Sequence, residues 1–474
     1  MPVAEGLTYF DKVWNDHIVS DLGHNTCLLH VDRHFLHELS GAMSFKGLSE
    51  KGHKVRNAEL TFATVDHVVD TVPGRSDLTQ IPNGTEFIRG LRQGCRQYGV
   101  PLYDLGDDRQ GIVHVISPEL GLALPGTTLV CGDSHTCTVG GVGTIGFGVG
   151  STDGEVALTS QCVILTKPRN MRVNFDGALP SGVYPKDLIL YLIGQVSAKA
   201  GVGFAVEFAG EALRSMSIEG RLSICNMAVE MSARTGFIAP DSVTYEYLNG
   251  KPFAPQGALW DRAVAYWDSL RSDEAARFDE EISIDCSRIS PQVTWGTSPE
   301  HVINIDNRVP GEADDATADD RADIRKAFAY TRLQPGMPLE GLAIDGAFIG
   351  SCTNSRFSDL EVAASILRGR KVAPHIQAIC TPGSMAVKRR AEAAGIADIF
   401  KAAGFEWREP GCSLCMSGGA GGESFVPGAR IISSTNRNFE HRQGKGVISH
   451  LASPATVAWS AVEGKIADVR KLVQ

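Results

Sequence analysis

The chain has 474 residues, 43% apolar and 21% charged, with 51 Gly and 22 Pro, which is the balance of a folded protein of about three domains and excludes a disordered, collagen-like or coiled-coil chain. Its 55 acidic residues exceed its 45 basic ones, a net charge of −10, which works against non-specific nucleic-acid or anionic-membrane binding. No run approaches the ~18 apolar residues of a membrane span, and the first residues carry Glu5, Asp11 and Asp16 and no leader pattern, so a cytoplasmic location is expected.

Composition shifts divide the chain into three expected lobes, 1–168, 169–290 and 291–474. Short β-branched runs alternate with helix-period segments, the pattern of an α/β fold. In the first lobe, FATVDHVVD places Asp66 beside His67, GIVHVIS holds His114 without a neighbouring acid, and the strand expected over TLVCGD (128–133) runs into Asp133, Ser134 and His135. A carboxylate beside an imidazole fixes its tautomer and raises its pKa, making it a proton donor; the bland reading of any one such histidine is a hydrogen-bonded core residue. GGVGTIGFGVG (140–150) contains G-x-G-x-x-G at Gly141, Gly143 and Gly146. Its strand ends in GDSHT rather than in the glycines, and no acid lies between Val156 and Phe175, so close backbone packing is expected there, not a dinucleotide site.

In the second lobe, ICNMAVEM puts Asn226 and Glu230 four apart, so the two are expected to share a helix face. An amide and a carboxylate so placed suit a bound water or hydroxyl; a helix cap and a surface charge are the alternative. The acidic, Ala-rich run 311–326 reads as a solvated loop or surface helix.

The third lobe is expected to have strands over 343–350 and 376–383. One helix is expected through FSDLEVAASILRG, capped within Thr353–Asn354–Ser355 and stopped by Gly369, and another over 384–395. Cys352 in GSCTNS follows the first of these strands, and Cys412 and Cys415 form a CxxC in PGCSLC. An odd total of eleven cysteines points to free thiols or metal ligands rather than a disulfide framework. A lone CxxC is equally a redox pair or two buried thiols. Three thiolates among small, polar neighbours are too few for a closed tetrahedral zinc and fit a cluster with an open position. The other eight cysteines lie in apolar or mixed runs and read as small hydrophobes. SGGAGGES (417–424) is expected to be a mobile loop beside that site. SSTNRNFEHRQG holds Asn436, Arg437 and Arg442; its two arginines offer guanidinium forks matched to a polycarboxylate, or, taken singly, surface salt bridges.

Together, VDH, CGDSHT, ICNMAVE, FIGSCTNSR, PGCSLC and STNRNF, in this order from about Thr8 onward, resemble the aconitase family. VDRHFLHE, TFATVDH, QGIVHV and SPQVTWGT look like its branch acting on 2-isopropylmalate. The resemblance implies three α/β domains around an iron–sulfur cluster without the family's swivelling fourth domain. It implies one 4Fe-4S cluster held by Cys352, Cys412 and Cys415, with one iron not ligated by cysteine. It assigns protonation of a departing hydroxyl to Asp66–His67 and Asp133–His135 with His114 in support, and places Asn226 and Glu230 near cluster-bound water. Asn436, Arg437 and Arg442 fall near the cluster and the substrate's carboxylates, and Ser134 is a further substrate contact. The implied activity is a hydro-lyase isomerising 2-isopropylmalate to 3-isopropylmalate through isopropylmaleate, as in leucine biosynthesis. The alternative is a related hydratase of citramalate or citraconate, dimethylmalate, homocitrate or maleate. A small subunit carrying the swivelling domain is the expected partner, and neither nucleic acid nor membrane is. Three departures bear on substrate choice: the segment after Cys415, Val139 where a His is usual, and His441 where Gly is common.

Overall fold

The computed structural model describes residues 6–312, 317–415 and 423–472. The chain divides into two compact units, one of Met1–Val68, Asn83–Ala178 and Lys199–Asp285, the other of Val69–Pro82, Leu179–Ala198 and Cys286–Gln474. Each of the three expected lobes holds an all-parallel sheet of its own, and the sheets of the first two belong to the first unit.

In the first unit, one sheet runs in the order Leu102–Tyr103, Thr61–Thr64, Arg33–His37, Thr128–Cys131, Ile145–Gly148, parallel throughout. Its strands Thr61–Thr64 and Thr128–Cys131 are buried at every position, as expected of a parallel sheet covered on both faces. The second sheet orders Thr235–Phe237, Phe204–Ala209, Arg169–Asp176 and Glu280–Asp285, again all parallel. A three-stranded antiparallel sheet joins Ile18–Gly23, Thr26–His30 and Cys162–Thr166. An aromatic cluster of Tyr9, Phe10, Trp14, Phe147 and Phe237 anchors the core, with ring centroids 5.4–6.4 Å apart.

Gly140, Gly141 and Gly146 of the 140–150 run are packing residues. A Cβ on Gly140 would stand 1.9 Å from the Gly236 carbonyl oxygen, and one on Gly146 2.3 Å from that of Thr136. Ser134–Val142 winds into a long 3-10 segment that packs against the helix Ile218–Asn226.

In the second unit, the sheet order is Glu406–Trp407, Gln377–Cys380, Gly346–Ile349, Arg430–Ser433, Ile448–Leu451, parallel throughout. The helix after the Cys352 loop spans Phe357–Leu367. Its cap differs from the expectation within 353–355: Arg356 occupies the cap, its N–H donating to Asp359 at 3.0 Å, while Asn354 reaches the same carboxylate at 2.9 Å. Gly369, at φ 73°, follows the helix end. Ser384 caps Met385–Ala393 by accepting the Val387 N–H at 3.0 Å. The later part of the acidic run falls in the mostly exposed helix Ala318–Thr331. The loop expected over 417–424 lies outside the described residues except for its last two. No described helix is long and apolar enough to cross a membrane.

Candidate functional site

The candidates fall into two groups, one in each unit. In the first unit, strands Thr61–Thr64, Arg33–His37 and Thr128–Cys131 are neighbours, and their C-terminal ends carry Asp66–His67, His37–Glu38 and Asp133. Open parallel sheets bind ligands outside the carboxyl ends of their strands.

His67 is the centre of this group. Its Nδ1 lies 2.7 Å from Asp66 Oδ1 and its Nε2 2.8 Å from Asp133 Oδ2. A carboxylate accepts only, so both ring nitrogens carry protons and His67 is an imidazolium. Burial opposes that charge, but Asp66 and Asp133 outweigh it and raise the His67 pKa well above 6.5. Asp133 accepts the backbone N–H of His135 at 2.6 Å. Its Oδ1 also lies 3.4 Å from the rings of both His114 and His135. Burial works against this charge too, yet His114, His135 and His67 hold the carboxyl well below its ordinary 3.8. His114, read from sequence as having no acid beside it, thus gains one through the fold.

Asn226 and Glu230 do not share a helix face. The helix ends at Asn226 and the chain tightens into a 3-10 turn over Met227–Met231. Both nevertheless reach the 134–142 segment: Asn226 Nδ2 donates to Thr138 Oγ1 at 2.7 Å, and Glu230 Oε1 meets His135 Nε2 at 2.8 Å. Ser134 is exposed beside them. A cavity of about 610 Å³, a size that suits a small ligand, has Asp133, Ser134, Val229, Lys167 and Arg234 on its wall.

Sequence reasoning gave no role to Glu38 or His37, although both stand in VDRHFLHE. Glu38 is fully buried and accepts the backbone N–H groups of Asp66, His67 and Val68 at 3.1, 2.7 and 2.5 Å, which sets the loop presenting His67. Burial, then the Asp66 charge, pushes its pKa up. The His37 ring stacks on His67 at 4.1 Å between centroids; burial and the His67 charge push it down to about 4, so the stack holds one cation rather than two. His37, Glu38, Asp66 and His67 approach closely enough to suggest a metal site. However, the Glu38 oxygens already serve three N–H groups and a doubly protonated His67 has no lone pair to give, so this is a hydrogen-bonded network. Replacing Glu38 by glutamine puts an NH2 group against these N–H donors. The expected cost is about 2 kcal/mol, read as a lower urea midpoint, with a loss of turnover as the His67 loop shifts.

In the second unit, Cys352 follows strand Gly346–Ile349, Cys412 and Cys415 follow Glu406–Trp407, and Asn436 follows Arg430–Ser433. All three thiols are buried. Asn436 Nδ2 donates to Cys352 Sγ at 3.4 Å and an Arg442 guanidinium N–H donates to Cys415 Sγ at 3.0 Å. Both side chains therefore reach the sulfurs of the candidate cluster ligands. Lys186, also fully buried, donates to the Ser434 carbonyl at 2.6 Å and to that of Thr435, fixing the approach to Asn436. Arg437 is half-buried in the same loop. Buried thiolates need such donors, so this set suits anionic sulfur ligands of a metal cluster.

Two of the sequence departures have structural explanations. Val139 is fully buried and packs in the core with Phe35, Val113 and Leu222. His441 adopts φ 66°, a left-handed conformation for which Gly is the default; its Nδ1 accepts the Gly446 N–H at 2.7 Å.

Parallel sheets presenting a histidine held between two carboxylates in one unit and three buried thiols in the other fit an α/β enzyme with donors for a metal cluster. The aconitase family (aconitate hydratase) matches residues 11–464, and the chain belongs to that family. Enzymes of this family bind a 4Fe-4S cluster. The chain is 52% identical over 469 residues to the 3-isopropylmalate dehydratase large subunit 1 of Bradyrhizobium diazoefficiens, covering 99% of this chain and 98% of that protein. The holo-form crystal structure of Thermococcus kodakaraensis aconitase X is similar at a TM-score of 0.46 and 12% identity, over 86% of this chain and 84% of that one.

Proposed function

We propose that the chain is the large subunit of a two-subunit hydro-lyase that converts 2-isopropylmalate to 3-isopropylmalate through isopropylmaleate, a step of leucine biosynthesis. The observation that carries this reading is the 52% identity, over nearly the whole of both chains, to a 3-isopropylmalate dehydratase large subunit.

The residues supply the chemistry this reaction needs. Dehydration breaks a C–O bond, and hydroxide leaves poorly unless it is protonated as it departs. His67, held as an imidazolium by Asp66 and Asp133, is the group built to give that proton, and once neutral it takes one back during rehydration. Asp133 keeps the positive charge in place, and His114 and the His135–Glu230 pair complete its shell. Cys352, Cys412 and Cys415 would hold a 4Fe-4S cluster, with Asn436 and Arg442 donating to the sulfurs of Cys352 and Cys415. When bound, the cluster supplies a Lewis acid for the hydroxyl and a carboxylate. Ser134 and Arg437 bind the substrate's polar groups. The base that removes the adjacent C–H proton comes from a small subunit, so this chain alone is inactive.

The test is anaerobic co-expression with the matching small subunit, iron reconstitution, and comparison of kcat/KM for 2-isopropylmalate, citramalate, 2,3-dimethylmalate, homocitrate and malate. The expected lead of 2-isopropylmalate is about a hundredfold, or ~2.7 kcal/mol of transition-state preference. A different leading acid overturns the substrate assignment, and full turnover by the isolated chain overturns the two-subunit one.

A further inference from the structure

The turn between Cys412 and Cys415 is not held by its own backbone alone. Ser413, inside the CxxC, adopts φ 49°, a left-handed conformation that a non-glycine residue keeps only when its surroundings enforce it. Its hydroxyl donates to Glu423 Oε2 at 2.9 Å, and this carboxylate gathers the surrounding chain as well. Oε1 accepts the backbone N–H groups of Thr71 and Val72 at 2.6 and 3.0 Å. Oε2 also lies 2.5 Å from Thr71 Oγ1 and 2.9 Å from an Arg408 guanidinium nitrogen. The Glu423 side chain is only 6% exposed.

The segment that Glu423 grips is tied a second time to the approach to Cys412. The Glu409 N–H donates to the Thr71 carbonyl at 2.7 Å, and Arg75 donates to the Pro410 carbonyl. A buried carboxylate beside a site for an anionic cluster is electrostatically unfavourable unless it is neutralised. Arg408 neutralises it, and the carboxylate's other hydrogen bonds among the described residues are with N–H or O–H groups. Its work is therefore mechanical: it binds Ser413, between the two cysteines, to a segment 342 positions away in sequence.

We propose that Glu423 is the positioning residue that fixes the Cys412–Cys415 turn in its iron-binding shape and so sets how firmly the cluster is retained. This rests on the cluster reading given under Proposed function. The test compares the full-length wild-type chain with Glu423→Ala, Glu423→Gln, Ser413→Ala and Glu406→Ala after anaerobic reconstitution. The visible absorbance of the cluster is followed as an iron chelator strips it, alongside iron content and the thermal midpoint of each metal-free chain.

Partners one step removed from a metal ligand affect metal affinity about 10- to 100-fold, so Glu423→Ala should lose its cluster at least ~10-fold faster than wild type. Glu423→Gln keeps one acceptor oxygen but loses the ion pair with Arg408, and should fall between the two. Ser413→Ala should show a smaller acceleration with an unchanged thermal midpoint. Glu406→Ala removes only the exposed partner of Arg408 and should match wild type. Cluster retention equal to wild type in Glu423→Ala overturns the proposal; should that variant not fold, the same result in Ser413→Ala does so. A wild-type chain that takes up no iron overturns the cluster reading, and this proposal with it.

Discussion

Replacing Cys352 by serine should leave the chain folded but strip it of iron and of turnover. The hydroxyl is nearly isosteric with the thiol, and Cys352 sits in a loop after its strand rather than in the sheet, so stability should change little. Ligation should change greatly, because soft thiolate is the ligand that iron–sulfur clusters select and a serine hydroxyl stays protonated at neutral pH. Groups one step removed from a metal already affect affinity or activity by 10- to 100-fold, so loss of a ligand should exceed about 100-fold. Iron and sulfide per chain, together with turnover in the two-subunit complex, measure this directly. Cys225→Ala is the control: Cys225 is fully buried in the first unit, makes no part of either candidate group, and its loss should leave iron content unchanged. Retention of iron by Cys352→Ser would instead favour the dithiol reading of the CxxC.

The extent to which sequence disclosed this site follows the range of the interactions involved. GSCTNS, PGCSLC and the two Asp–His pairs are local, each a few residues at a strand end, and the fold places them at the carboxyl ends of parallel strands as the α/β pattern implies. What closes each group is non-local. Glu38 reaches the His67 loop across 28 to 30 positions, and Glu423 reaches Thr71 across 352. No spacing rule connects such pairs, since only the tertiary fold makes them neighbours. His114 illustrates the same limit, having no acid beside it in sequence and Asp133 beside it in the fold. For Asn226 and Glu230, a four-residue spacing assumed a continuous helix. The 3-10 turn after Asn226 breaks that rule and still delivers both side chains to the same segment. His441 is a converse case: a residue that looked like a substrate determinant occupies a left-handed turn and serves the backbone.

Asp133→Asn should be the most damaging change in the first unit, because three histidines depend on this one carboxylate. The asparagine amide has no charge to balance the His67 imidazolium, and its NH2 group, if turned inward, opposes the ring N–H. Loss of a positioned proton donor costs about 10²- to 10⁴-fold in rate, and kcat in the two-subunit complex should fall within that range. The pH profile separates this electrostatic role from mere packing. In the wild type, the His67 pKa lies well above 6.5, so the proton donor stays charged through neutral pH and activity falls only as pH rises through that higher value. With Asp133 neutral, Asp66 alone supports the charge, and the alkaline limb of kcat/KM should move to lower pH. Stability should follow the same linkage. The raised His67 pKa contributes stability that is fully present below 6.5 and is lost as pH rises through the folded value. The depressed Asp133 pKa contributes stability present above 3.8 and lost as pH falls through its own folded value. The variant should therefore lose most stability relative to wild type between those two limits, near pH 4 to 6.5, and urea midpoints across that window measure the difference. An alkaline limb unmoved from wild type would mean that Asp133 does not hold the His67 proton.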